Sequence, residues 1–173
     1  MKTDWKKIGV EIESITNDSE SGGTEFANKA FERILGEDWI RHAVDMAIST
    51  KPGAELAMNC LRHISSEKAA DYAYSIYKSD SDLENKRMAV WLIKHLAVIK
   101  SYAWIEEFLS DQNVIGYGIG VLDQLLWCEK IDYEDEKTRV DYLMDLAVKN
   151  SNGELKDNVD FIKGYLKKKQ EME

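Results

Sequence analysis

Apolar residues recur three and four positions apart along nearly the whole chain, the spacing of helices that bury one face. Trp5, Ile8, Ile12 and Ile15 form the first stripe and predict a flanking helix over 4–16. A polar stretch rich in Ser, Asp and Gly follows, from Thr16 to Gly23. Phe26, Ala27, Ala30, Phe31 and Ile34 then mark a helix that Thr24 is placed to cap and Gly36 to end. Ile40, Ala43, Val44, Ala47 and Ile48 mark its partner. The pattern restarts at Pro52, which suits a first helical turn because its missing N–H would be unpaired there anyway. Leu56, Ala57, Cys60, Leu61 and Ile64 form the face of that helix. Ser65 or Ser66 interrupts, and Ala69, Tyr72, Ala73, Ile76 and Tyr77 belong to the next.

A further restart follows Ser79-Asp80. Ser81 and Glu84 have capping-box spacing, and Leu83 to Ile99 is apolar almost all round, as expected of a helix buried on several sides. Ser101 is placed to cap a short helix carrying Trp104, Ile105, Phe108 and Leu109. After Ser110-Asp111, the positions Val114, Ile115, Ile119, Leu122, Leu125 and Leu126 fit another helix. Within it, Ile115-Gly116-Tyr117-Gly118-Ile119-Gly120-Val121 lacks both GxGxxG spacing and a Walker lysine, so no nucleotide loop is read there. Its alternation also fits a strand, but a helix with glycines that permit close packing is preferred. An acidic loop, Glu129 to Glu136, leads to a helix carrying Val140, Leu143, Met144 and Ala147. Ser151 and Glu154 form a second capping-box pair ahead of a last helix, 154–169, with Leu155, Val159, Ile162 and Leu166.

Paired helices therefore recur roughly every thirty residues, as in helical repeats. The expected hairpins are 24–49, 52–78, 82–109 and 112–149, within one domain over 1–173. Leu61-Arg62-His63-Ile64 echoes Ile93-Lys94-His95-Leu96 at matching helix ends, and Tyr77-Lys78-Ser79-Asp80 echoes Phe108-Leu109-Ser110-Asp111 at matching hairpin ends. With these Ser-Asp ends and the helices around Met88-Ala89-Val90-Trp91-Leu92-Ile93, the chain from about Thr24 to Asn150 resembles a short HEAT-like or armadillo-like protein. The resemblance implies an all-α fold, a right-handed α-solenoid-like stack of helical hairpins with about ten helices. Proteins of that kind mostly bind other proteins, and a few bind or repair DNA.

Charge narrows the function. The 32 Asp and Glu against 23 Lys and Arg give a formal net charge of -9, which repels phosphate backbones and anionic lipid heads and attracts basic partners. Acidic balance and small size together resemble bacterial immunity proteins, which neutralise a cognate toxin; this resemblance is one of general character. No apolar signal-peptide core follows the N-terminus, and the longest apolar-rich stretch, Met88 to Ile99, is too short to span a bilayer, so a cytoplasmic protein is expected.

Candidate chemistry is sparse. Cys60 and Cys128 lie in apolar runs and read as reduced core thiols; no CxxC occurs. His63 and His95 sit near helix C-termini, where they interact with exposed carbonyls, and His42 lies between Asp38 and Asp45. Cys60 and His63 are close enough to meet on one helix face, but the apolar frame of Cys60 argues against a reactive thiolate. Neither catalytic residue, metal site nor cofactor is read. Trp91 and Trp127 are expected in the core, and Trp39 partly exposed.

The acidic residues are the strongest lead. In paired-helix solenoids the second helices often line the concave face. Polar positions there include Asp45, Asp71, Glu106, Glu107, Asp141 and Asp145, and the loop adds Asp132, Tyr133, Glu134 and Asp135. Clustered carboxylates speed association with a basic partner, and Tyr133 and Trp104 offer anchoring contacts. The plain alternative is a solvated surface that keeps the protein soluble. The function expected is a protein-binding module that binds and neutralises a basic protein, with an immunity protein as the concrete case and no nucleic-acid or membrane partner. A scaffold within a larger assembly, or a helical-repeat nucleic-acid enzyme, is the alternative.

Overall fold

Glycines and capping carboxylates punctuate the chain into short helices. The computed structural model describes residues 3–17 and 19–171. In chain order the elements are α1 (Trp5–Glu11), β1 (Ile15–Thr16), β2 (Ser19–Glu20), α2 (Thr24–Leu35), α3 (Glu37–Ile48), α4 (Ala54–His63) and α5 (Glu67–Ser79). Then come α6 (Leu83–Leu96), a 3₁₀ segment (Ile99–Trp104), α7 (Ile105–Ser110), α8 (Ile115–Trp127), α9 (Tyr133–Asn150) and α10 (Lys156–Gln170). Among the described residues the protein is thus all-helical apart from one two-stranded ribbon. The chain divides within α5 into two units, 1–72 and 73–173.

In the first unit the N-terminal stripe is not one helix. The Asp4 carboxylate accepts from the Lys7 N–H at 3.0 Å and starts α1, but Glu13 turns to φ 62° and the helix ends at Glu11. The chain doubles back over Gly9, where a Cβ would stand 2.5 Å from Ile15 Cδ1. Ile15 then pairs opposite Glu20 in an antiparallel ribbon. The expected helix over 4–16 is therefore a helix and a strand; Asp18 of the polar stretch lies outside the described residues.

Helix starts in this unit use glycine more than side-chain caps. Gly23, not Thr24, occupies the cap position of α2, and Thr24 is its first helical residue. Gly36 at φ 82° ends α2 and begins α3 in a single residue, a conformation open to glycine. Pro52 sits in a turn ahead of α4, whose cap is the left-handed Gly53. α3 buries Ile40, Ala43, Val44, Ala47 and Ile48 and packs against α4, which buries Met58 and Leu61. Leu56 and Cys60 lie off that face: Leu56 is 69% exposed and Cys60 is an exposed free thiol, not a core one. Helix geometry is the cause: with Leu61 and Met58 buried, Leu56 lies about 140° and Cys60 about 100° round the helix from Leu61.

The start of α5 is capped from a distance. Glu32 of α2, a buried carboxylate, accepts from Ser66 Oγ and, at 3.2 Å, from the Lys68 N–H. Ser66 Oγ in turn accepts from the Ala69 N–H at 3.0 Å. Negative charge at a helix N-terminus is favoured by the exposed donors there.

In the second unit Asp82 starts α6, accepting from Glu84 N–H at 2.7 Å and Asn85 N–H at 3.3 Å; the expected Ser81–Glu84 box is displaced by one residue. α6 stops at Leu96 because Ala97 is left-handed (φ 48°), so Ile99 begins the 3₁₀ segment. Ser101 lies inside that segment, buried, with its hydroxyl donating to the Val98 carbonyl at 2.7 Å, and does not cap α7. Residues 115–121 are helical, the first part of α8. α8 packs against both α6 and α7, and Phe108, Leu92, Ile93, Leu96, Ile105 and Leu122 are fully buried there. Each such side chain contributes about 1.5–3 kcal/mol on burial.

Trp127 is the clearest exception to the expected core. It is 65% exposed, and Cys128 beside it is exposed as well. Five residues after Leu122, Trp127 falls about 140° round the helix from the buried line. The expected acidic loop, Glu129 to Glu136, is non-helical only through Asp132: Asp132 caps α9, accepting from Glu134 N–H at 2.8 Å and Asp135 N–H at 3.3 Å, and Glu134 to Glu136 occupy the first turn. At the other end Ser151 terminates α9, and its Oγ accepts from the Leu155 N–H at 3.1 Å, so no Ser151–Glu154 box forms. Val159, Ile162 and Leu166 are the buried face of α10.

Candidate partner-binding surface

The second unit carries a surface on which tyrosine hydroxyls pin carboxylates from a neighbouring helix. Tyr142 of α9 donates to Glu106 of α7 at 2.9 Å. Tyr102 of the 3₁₀ segment donates to Glu136 of α9 at 3.2 Å. Tyr74, on the C-terminal half of α5, donates to Glu107 of α7 at 2.6 Å, and Lys78 bonds the other Glu107 oxygen. These bonds join residues 36, 34 and 33 apart, close to the hairpin spacing of the sequence. Each joins a hydroxyl and a carboxylate that lie about one hairpin apart along the chain.

Aromatic and cationic groups reinforce the arrangement. Trp104 stacks on Tyr74 with ring centres 4.2 Å apart and planes 7° from parallel, and Tyr77 meets Phe108 edge-on at 5.0 Å beneath. The Arg139 guanidinium lies 5.0 Å over the Tyr102 ring, and Lys137 lies 4.5 Å over the Tyr133 ring. Along α9, Tyr133 donates to Asp141 at 3.0 Å, two turns on, and Lys137 between them bonds both Tyr133 and Asp141. The face is thus an interleaved set of acids, tyrosines and a few cations, not an uncompensated acidic patch.

Proton affinities follow from this packing. Burial, aided by Glu107, pushes the Tyr74 hydroxyl up to about 12, and burial with Glu136 does the same to Tyr102, also to about 12. Burial alone would raise the Glu107 carboxyl; the hydrogen bonds from Lys78 and Tyr74 outweigh it and leave the group below its ordinary value. At neutral pH the Tyr74–Glu107 pair is a neutral phenol donating to an anion.

The residues picked from sequence fall into several settings. Trp104, Glu106, Glu107, Tyr133 and Asp141 lie in the tyrosine–carboxylate network, and exposed Asp145 on α9 approaches Lys163 of α10 at 3.9 Å. Asp132, Glu134 and Asp135 are at the start of α9, where Asp132 is committed to capping and Glu134 accepts from Gln170. Asp132, Tyr133 and Glu134 also border a cavity of about 290 Å³ with Leu126, Ile131 and Tyr165, beside a 2.7 Å Glu129–Lys169 ion pair. Asp45 and Asp71 belong to the first unit, both exposed; Asp45 accepts from Tyr72 at 3.1 Å, with Arg41 4.6 Å over the Tyr72 ring.

Sequence reasoning missed Tyr74, Tyr102, Tyr142, Lys137 and Arg139. Their signal was present as Tyr and acid positions separated by one hairpin, but such a match is only informative once the helix phases are known. Among the described residues no group of three His, Cys, Asp or Glu is placed to hold a metal ion, and no helix is long and apolar enough to cross a membrane. Comparison of the chain with protein-family models, with curated proteins and with solved structures gives no match.

Proposed function

We propose that this chain is a non-enzymatic, cytoplasmic protein-binding module, a HEAT-like α-solenoid that engages and neutralises a basic protein through the tyrosine–carboxylate face of α7 and α9. The observation that carries the reading is the set of carboxylates Glu106, Glu107 and Glu136, each held by a tyrosine hydroxyl. Glu106 and Glu136, each fixed through one tyrosine bond, keep acceptor capacity for a second, and an Arg or Lys of a partner supplies it, whereas Lys78 already engages the other oxygen of Glu107. Because the side chains are already ordered, less conformational entropy is lost on binding. Tyr142, 48% exposed, and the partly buried Trp104 supply aromatic area of the kind that dominates interface energetics. Hairpin-to-hairpin spacing of the tyrosine bonds supports the repeat architecture, and the exposed free thiols Cys60 and Cys128 are in keeping with a reducing compartment. An immunity protein acting on a bacterial toxin is the concrete form of this function.

The test is capture from the native host with two baits, the wild-type chain and a Glu106→Lys/Glu136→Lys/Asp145→Lys variant. A basic protein retained by the first and weakened at least about tenfold by the second, with a shallower salt dependence, is the expected result. Equal affinity for both baits rejects the face. A captured protein that keeps its full activity in the complex makes the chain a scaffold instead of an inhibitor.

A further inference from the structure

The outward stripe of α10 has a composition that solvent exposure does not explain. Val159, Ile162 and Leu166 point inward. At 3.6 residues per turn the opposite side is Asp157, Asp160, Phe161, Gly164, Lys167 and Lys168, all exposed. Acids near the N-terminus and lysines near the C-terminus suit the helix dipole. The dipole accounts for neither residue at the centre.

Phe161 is 63% exposed, and it is the end of an aromatic ridge: its ring meets Tyr165 edge-on at 5.8 Å, and Tyr165 meets Trp127, 65% exposed, at 5.5 Å. Gly164 sits mid-helix, where glycine costs about 1 kcal/mol relative to alanine. Among the described residues nothing requires it, since a Cβ there would meet no atom within 4 Å. Gly118 is the contrast, with Phe108 in the way at 2.8 Å. A small residue at an open, outward position is accounted for by the close approach of another molecule.

We propose that this stripe is a two-fold interface with a second copy of the chain, α10 packing antiparallel on α10. The stripe is complementary to itself when reversed. With Phe161 of one copy over Gly164 of the other, Asp157 falls opposite Lys168, and the symmetry makes each contact twice. Among the described residues no ion pair within the chain engages Asp157, Asp160 or Lys168, whereas Lys167 is within 3.8 Å of Glu171. Trp127 and Tyr165 extend the apolar area beside the central Phe161–Gly164 contact. This interface is independent of the tyrosine–carboxylate face.

The experiment is sedimentation equilibrium on the full chain and on Asp157→Lys, Lys168→Asp and Gly164→Gln. Wild type shows a concentration-dependent monomer–dimer equilibrium. Each charge reversal acts at both ends of the contact and weakens dimerisation roughly tenfold or more. Mixing the two single variants restores it, because both cross-pairs are then opposite in sign. Gly164→Gln raises monomer thermal stability while abolishing the dimer. A wild-type chain that stays monomeric to its solubility limit overturns the proposal. So does a dimer indifferent to the single reversals, or a mixture that associates no better than its components.

Discussion

The three glycines of α8 stand two residues apart, yet alanine has a different consequence at each. A Cβ on Gly118 would lie 2.8 Å from Phe108 Cβ and 3.1 Å from the Phe108 carbonyl carbon. Those atoms belong to the α7 backbone and its root, so relief requires moving one buried helix off another. Overpacking of this kind costs about 1–3 kcal/mol, against a propensity gain of up to about 1 kcal/mol for replacing glycine in a helix. Because the obstacle is backbone and its root, the cost lies in the upper part of that range, and the net loss for Gly118→Ala is about 1–2 kcal/mol, or roughly 2–8 °C in Tm for a chain of this size. At Gly120 the obstacle is the flexible Lys94 side chain, nearest at 3.0 Å, which can swing aside, so Gly120→Ala is neutral or stabilises by up to about 1 kcal/mol. Gly116 has open space and lies in the first turn, so alanine there gains a few tenths of a kcal/mol. Urea unfolding of the three variants, compared at constant m-value, gives the order directly. If Gly118→Ala is as stable as wild type, the close packing of α7 on α8 is not what holds this glycine in place.

Other outcomes follow from individual contacts. Glu32→Ala and Ser66→Ala each lose about 1–3 kcal/mol by breaking the remote cap of α5, and the double variant loses clearly less than the sum, measured by a double-mutant unfolding cycle; additive losses would show that the two do not act as one cap. Tyr74 and Tyr102 hold their protons more tightly folded than unfolded, so their contribution to stability is intact below about pH 10 and fades as pH rises toward 12. Tyrosinate absorbance should therefore show a late-titrating class in the native protein that disappears in denaturant; a single transition near 10 contradicts it. Cys60 and Cys128 are exposed, so both react with a thiol reagent in the native state without a lag for unfolding; protection of either would place it back in the core.

The helices themselves were legible because the apolar period survives without any tertiary information. Met88 to Leu96, for example, is dense enough in apolar groups that only a buried helix accommodates it, and the structure buries Ala89, Val90, Leu92, Ile93 and Leu96. Within 115–121 the pattern admitted a strand; the segment is helical, and Gly118 leaves the space that Phe108 occupies. Less legible were the caps. Ser81, Ser101 and Thr24 have the right chemistry, but Asp82 takes the cap of α6 and Gly23 that of α2, since the winner depends on the backbone path into each helix. Chemistry also misled in the other direction: the acidic run at Asp132 to Glu136 is the start of α9, where the same charges satisfy backbone donors.

By itself, then, the sequence determined that the chain forms a series of short amphipathic helices and where most of the apolar stripes lie, because those depend on local period and on glycine. Only the tertiary structure decided which end of each stripe faces inward. Cys60 lies about 100° and Leu56 about 140° round α4 from buried Leu61, and Trp127 about 140° round α8 from buried Leu122, rotations that separate core from solvent. It also decided which carboxylates meet which tyrosines. Tyr142 and Glu106 are 36 residues apart, and no rule of local spacing pairs them until the packing of α7 beside α9 fixes both helix phases.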